Sequence, residues 1–108
     1  LGVPDVLVCD DLGVFHLIEL KSITGYASQL SPHQIGFFTR HALANAWVFI
    51  LQNHKSKPSQ VFVYHASQVL ELSEKGLRLN PFGVWEFAGL DWVGVWDKMK
   101  ARRGGRSS

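Results

Sequence analysis

Residues 3–21 read Val3-Pro4-Asp5-Val6-Leu7-Val8-Cys9-Asp10-Asp11-Leu12-Gly13-Val14-Phe15-His16-Leu17-Ile18-Glu19-Leu20-Lys21. Two apolar runs of alternating character, 3–8 and 14–21, flank Asp11-Leu12-Gly13. That pattern predicts a hairpin, with Gly13 where a three-residue loop requires positive φ. With Leu12 at the loop centre, Asp10 faces Val14 and each further pair of residue numbers adds to 24. Asp5 then lies opposite Glu19, and Val3 opposite Lys21. Directly opposed residues hold their Cβ atoms about 4.5–5.5 Å apart, where like charges destabilise the pair. Strand alternation also places Asp5, Glu19 and Lys21 on one face. Two carboxylates and an ammonium on an otherwise apolar hairpin are costly without a partner. A divalent cation is the obvious one, since hard cations take carboxylate oxygens.

At these residues the chain resembles the PD-(D/E)XK nucleases, whose signature is Pro-Asp on one strand and acidic-X-Lys on the next. Pro4-Asp5 and Glu19-Leu20-Lys21 match it. Gly2-Val3-Pro4-Asp5, with Leu30-Ser31-Pro32-His33-Gln34 downstream, looks most like the phage and virus-type replication-repair nucleases. Holliday junction resolvases are more distant relatives. The resemblance covers roughly residues 2–52. It implies an α/β, restriction-endonuclease-like fold, a mixed central sheet flanked by helices. It implies hydrolysis of DNA phosphodiester bonds, with endonuclease favoured over exonuclease. Asp5, Glu19 and the Leu20 carbonyl would hold Mg²⁺, or Mn²⁺ in its place, while Lys21 and Gln34 complete the catalytic set. The family often carries a further Glu on a helix before the hairpin, which this sequence, starting at Leu1, does not supply there. One rival reading is a catalytically inactive nucleic-acid-binding module that keeps the hairpin. Another is a structural protein in which Lys21 merely bridges Asp5 and Glu19.

Outward from the hairpin, Val6, Val8, Ile18 and Leu20 make one face of the two strands apolar, and Leu7, Phe15 and Leu17 the other. A sheet buried on both sides calls for helices on each face. His16 falls on the face away from the carboxylates, where a hydrogen-bonded core histidine is expected. Residues 22–29 are polar and read as a loop. The next helix, 30–44, is well signposted: Ser31 as N-cap, Pro32 at the first helical position and Gln34 closing a capping box. Ile35, Phe38 and Ala42 form its apolar stripe. Gln34 can serve the cap or the site, and the site is favoured. His33, Arg40 and His41 read as exposed helix residues, with Arg40 a candidate phosphate contact.

Residues 46–51 read as a buried central strand, followed by a turn over 53–60 that contains Lys55, Lys57 and Pro58. A strand at 61–64, a short helix at 66–74 ending at Gly76, and a short strand at 84–87 come next. Asp91 is placed to cap a final helix through about Lys100, with Trp92, Val95, Trp96 and Met99 on one side. The tryptophans there suit core closure. Stacking on unpaired bases and a homodimer contact through the segment from Trp85 to Trp96 are the sharper alternatives.

At 108 residues, 46% hydrophobic and 19% charged, the chain has the composition of a single soluble domain. No apolar run approaches a membrane span, and no signal peptide is visible. The lone Cys9 excludes an internal disulfide and fits a reducing compartment rather than a secreted setting, and the resemblance implies the cytoplasm of a bacterial or phage-infected host cell. A net charge of +2 carries little weight, but Lys98, Lys100, Arg102, Arg103 and Arg106 gather at the end. A nuclease domain over 1–97 followed by a basic, flexible tail over 98–108 is therefore expected. That tail either contacts phosphates or is a solvated terminus.

Overall fold

The computed structural model describes residues 5–53 and 57–105, with side chains through Arg102. Val3, Pro4 and Lys55, the Arg103 side chain and Arg106 lie outside the described residues. Five strands are present among those described: β1 (Val6–Cys9), β2 (Phe15–Ile23), β3 (Ala46–Gln52), β4 (Gln60–His65) and β5 (Gly83–Glu86). Three α-helices accompany them: α1 (Pro32–Arg40), α2 (Val69–Lys75) and α3 (Trp92–Gly105). The strands form one sheet in the order β1-β2-β3-β4-β5. β2 and β3 run parallel, and the other neighbours are antiparallel. The protein is thus α/β with a mixed sheet. The parallel pair needs a crossover, and α1 supplies it.

The hairpin has the expected register. Val6 pairs with Ile18, Leu7 with Leu17, Val8 with His16 and Cys9 with Phe15. Gly13 has φ 78°, as its loop position requires. The turn is pinned by Asp10, whose Oδ1 accepts from the Leu12 and Val14 amides at 2.9 and 3.0 Å. Its Oδ2 meets His16 Nε2 at 3.0 Å. Trp47 Nε1 donates to His16 Nδ1 at 3.2 Å, so Nε2 carries the ring proton and donates to Asp10. His16 is fully buried, the hydrogen-bonded core histidine expected there.

Helices cover both sides of the sheet. On one, Phe38 of α1 and Val69 and Leu72 of α2 pack on Val48, Ile50 and Tyr64. On the other, Val95 and Met99 of α3 pack on Ile18, Trp47, Phe49 and Val63. The expectation of burial on both faces fails at the hairpin. The apolar sides of α1 and α2 are used up over β2 to β4, and Leu7 and Phe15 stay exposed, as does Leu20 on the opposite face.

α1 also ends sooner than its pattern suggests. The His41 amide already bonds back to Phe37 and Phe38, and Leu43 is exposed. The carbonyls that follow have other partners: Asn45 accepts from the Leu17 amide, and Ala44 from His65 Nε2 at 2.8 Å. A helix through Ala44 would forfeit the bonds that start β3 beside β2. At the other end of the chain, α3 runs past the expected end near Lys100, so Lys98, Lys100 and Arg102 stand on helix.

Candidate active site

The candidate site sits where β1 begins and β2 nears its end. Asp5 immediately precedes β1, and Glu19, Leu20 and Lys21 belong to β2. The Leu20 amide donates to Asp5 Oδ2 at 3.1 Å, which ties Asp5 to the strand opposite. Lys21 Nζ stands 3.8 Å from Glu19 Oε2. The first turn of α1 brings Gln34 over the same face, and its Nε2 donates to Glu19 Oε2 at 2.8 Å.

Gln34 holds the cap and the carboxylate at once. Ser31 Oγ accepts from the Gln34 amide at 3.1 Å, and Gln34 Oε1 accepts from the Ser31 amide at 2.9 Å. A backbone N–H can only donate, so the cap takes the amide oxygen and leaves the NH₂ end for Glu19. The sequence alone posed these as alternatives.

Glu19 is the unusual group. It is 2% exposed, and its Oε1 is buried with no hydrogen-bond partner among the described residues. Burial, and secondarily the adjacent Asp5 carboxyl, push its pKa up to about 7, against the weaker pull of Lys21 and Gln34. An exposed carboxylate beside a buried one with an unsatisfied oxygen is a donor set suited to a hard divalent cation. The fit is sparse. Among the described residues no group of three or more His, Cys, Asp or Glu converges to hold a metal, so the Leu20 carbonyl and water would complete the shell.

The candidate phosphate contacts are not gathered here. Arg40 is exposed in the last turn of α1, six residues beyond Gln34 and so roughly 9 Å along the helix axis. Lys98 lies over the rings of Phe82 and Trp85, at 5.3 and 5.9 Å. Lys100 Nζ meets Asp11 Oδ1 at 3.1 Å and Asp97 Oδ1 at 3.8 Å, which raises its pKa. Asp11 is in the hairpin turn, and from Val14 to Glu19 is five residues of strand, roughly 17 Å. Lys100 therefore stands at the far end of the hairpin from the carboxylates, and Lys98 lies across the sheet beside β5.

Trp85 and Trp96 pack against the second core cluster, while Trp92 is half exposed. The sequence pattern did not single out Asp10, although an Asp two and four residues before turn amides is a recognisable Asx-type signal. Nor did it disclose a groove between Leu20, Phe49, Phe87 and Trp92, whose parts are too far apart in sequence to be associated. No helix among the described residues is long and apolar enough to cross a membrane. Comparisons with protein-family models, with curated proteins and with solved structures find no match.

Proposed function

We propose that the chain is a metal-dependent nuclease that hydrolyses phosphodiester bonds of DNA, of the PD-(D/E)XK type that its hairpin resembles. The observation that supports it best is the buried Glu19, with an unsatisfied Oε1, set among Asp5, Lys21 and Gln34. A structural ion pair would satisfy its oxygens, whereas this arrangement holds an oxygen ready for an incoming ligand. Asp5, Glu19 and the Leu20 carbonyl are the groups that would hold Mg²⁺ or Mn²⁺. Bound there, the ion would polarise the phosphate and lower the pKa of an attacking water. Lys21, about a quarter exposed, offers its ammonium to the phosphate or to the charge that develops on it. Gln34 holds Glu19 by one oxygen and so aims the other. The reading carries with it a cytoplasmic setting and, where both strands of a duplex are cut, a homodimer with two sites.

Two measurements test it. Calorimetric titration with Mn²⁺ should show binding that Asp5→Ala abolishes. A panel of duplex, flap, junction and single-stranded DNA should be cut with Mg²⁺ or Mn²⁺, and alanine at Asp5, Glu19 or Lys21 should lower the rate at least 100-fold, as losses of charge-stabilising groups do. Binding of DNA without cleavage under either metal would leave the inactive binding module. Undiminished cleavage by Glu19→Ala would place the chemistry elsewhere.

A further inference from the structure

β2 and β3 run parallel and finish together, at Ile23 and Gln52, just past Lys21. The loop that leaves β2 there is fastened twice. Gln52 Nε2 donates to the Gly25 carbonyl at 2.7 Å, and the Leu77 amide donates to the Tyr26 carbonyl at 2.7 Å. The second bond draws the end of α2 so close to the loop that only glycine fits at position 76. Its φ is 62°, and a Cβ there would strike the Tyr26 carbonyl oxygen. α1 and α2 pack on one side of the sheet, the side from which Gln34 reaches Glu19. Arg78, two residues past Gly76, therefore stands on the same side and at the same end of the sheet as the candidate site.

Arg78 is exposed, and its guanidinium lies over the Tyr26 ring, with Cζ 5.4 Å from the centroid. Three lysines of the molecule are offset by a carboxylate: Lys21 by Glu19, Lys75 by Glu71 and Lys100 by Asp11. Arg78 forms no ion pair among the described residues. Contact with a ring face orients the guanidinium without consuming any of its five N–H donors. A cavity of about 170 Å³ opens beside it, lined in part by Tyr26, Ser73, Glu74 and Lys75. A water molecule takes roughly 30 Å³, so the space admits a phosphate with its hydration. A planar fork of donors with no carboxylate of its own suits that group, which it can hold through two parallel bonds.

We infer that Arg78, seated on Tyr26, binds a backbone phosphate of the nucleic acid a few nucleotides from the one that is cut. The inference rests on the nuclease reading for its choice of polymer and extends it to the path of the substrate. Tyr26 is five residues past Lys21, so their Cα atoms are at most about 18 Å apart. A strand rises about 3.4 Å for each nucleotide, so about five nucleotides span the whole of that distance. The strand would pass from Lys21 along the loop to the end of α2, which carries it away from the hairpin turn and Lys100.

The test uses the full chain with fluorescent duplex and flap DNA, bound in EDTA over a salt series and cleaved in Mg²⁺. Arg78→Gln should weaken binding about 3- to 10-fold near physiological salt, and lower the slope of log K against log salt by about 0.7–0.9. In cleavage the loss should fall on KM, with kcat unchanged. Arg78→Lys keeps the charge and so the slope, but loses the paired bonds and part of the affinity. Tyr26→Leu unseats the guanidinium and should weaken binding at an unchanged slope. Both positions are exposed, so the variants should fold, which circular dichroism confirms. Unchanged affinity and slope in a folded Arg78→Gln protein would overturn the inference. A fall in kcat at unchanged KM would overturn it too, by putting Arg78 at the reacting phosphate. DNA binding without cleavage, its slope lowered by Arg78→Gln, would remove the nuclease reading and keep the phosphate contact. Cleavage by the wild type with no Arg78 effect would do the reverse.

Discussion

Glu19 gives the residue scale its clearest prediction. Its pKa is raised to about 7 in the folded chain, from 4.5 without the fold. Between those values the folded state keeps a proton that the unfolded state releases, so stability falls as pH rises through the window. Urea denaturation at a series of pH values should show that fall in metal-free protein, and Glu19→Gln should remove it. The variant should then match wild type near pH 4 and exceed it near pH 8. Gln34 gives the complementary case. Gln34→Glu keeps a cap partner but sets a carboxyl against Glu19, so its cost should appear at pH 8 and shrink near pH 4. Gln34→Ala loses the bond from the Ser31 amide at either pH, about 1 kcal/mol for one hydrogen bond. Asp5, Glu19 and Lys21 were legible at this scale because strand alternation and one loop length suffice to place them together. The unsatisfied oxygen on Glu19 was not, since it depends on how α1 descends on β2.

At the scale of elements, capping chemistry made α1 readable at its start and left its end open. Ser31, Pro32 and Gln34 specify the first turn locally, whereas the stop at Arg40 is imposed by bonds to Leu17 and His65 that are distant in sequence. Ser31→Ala should therefore cost about 1 kcal/mol, read as a shift in the denaturation midpoint. The same contrast divides the hairpin. Ile18 is buried under α3, and Ile18→Ala should cost about 2–5 kcal/mol. Leu7 and Phe15 look equally apolar in sequence but lie in the open, so Leu7→Ser should fall within about 0.5 kcal/mol of wild type. Period-2 patterning reports which residues share a face. It does not report how far the neighbouring helices reach.

For the whole molecule, the separation between the carboxylates and the basic end of α3 decides what the charges can do. Lys98 and Arg102 can add sequence-independent attraction, yet Lys98 lies over Phe82 and Trp85 beside β5 and its helix neighbour Lys100 at the hairpin turn, rather than at Glu19. Replacing both by Gln should lower the slope of log K against log salt by about 0.7–0.9 for each phosphate that is no longer neutralised. Cleavage at saturating DNA should stay unchanged. A lower rate under those conditions would mean that the substrate spans the hairpin during the reaction. The mixed sheet, with a parallel pair at its centre and helices on both sides, follows from patterns in the chain. The groove at Trp92 does not, because it is assembled from β2, β3, the segment after β5 and the start of α3.

Surface turns are ordinarily where a protein tolerates a change of length. The turn between Asp10 and Val14 is different, because the pairing it sets runs unbroken to Val6 and Ile18, next to Asp5 and Glu19. One residue inserted there would move every pair by one step and turn Asp5 to the side of Leu20, unless a bulge absorbed it. Variants of this chain that keep the carboxylate pair should therefore vary freely in the identity of Leu12, which is exposed, and hardly at all in the number of residues around it.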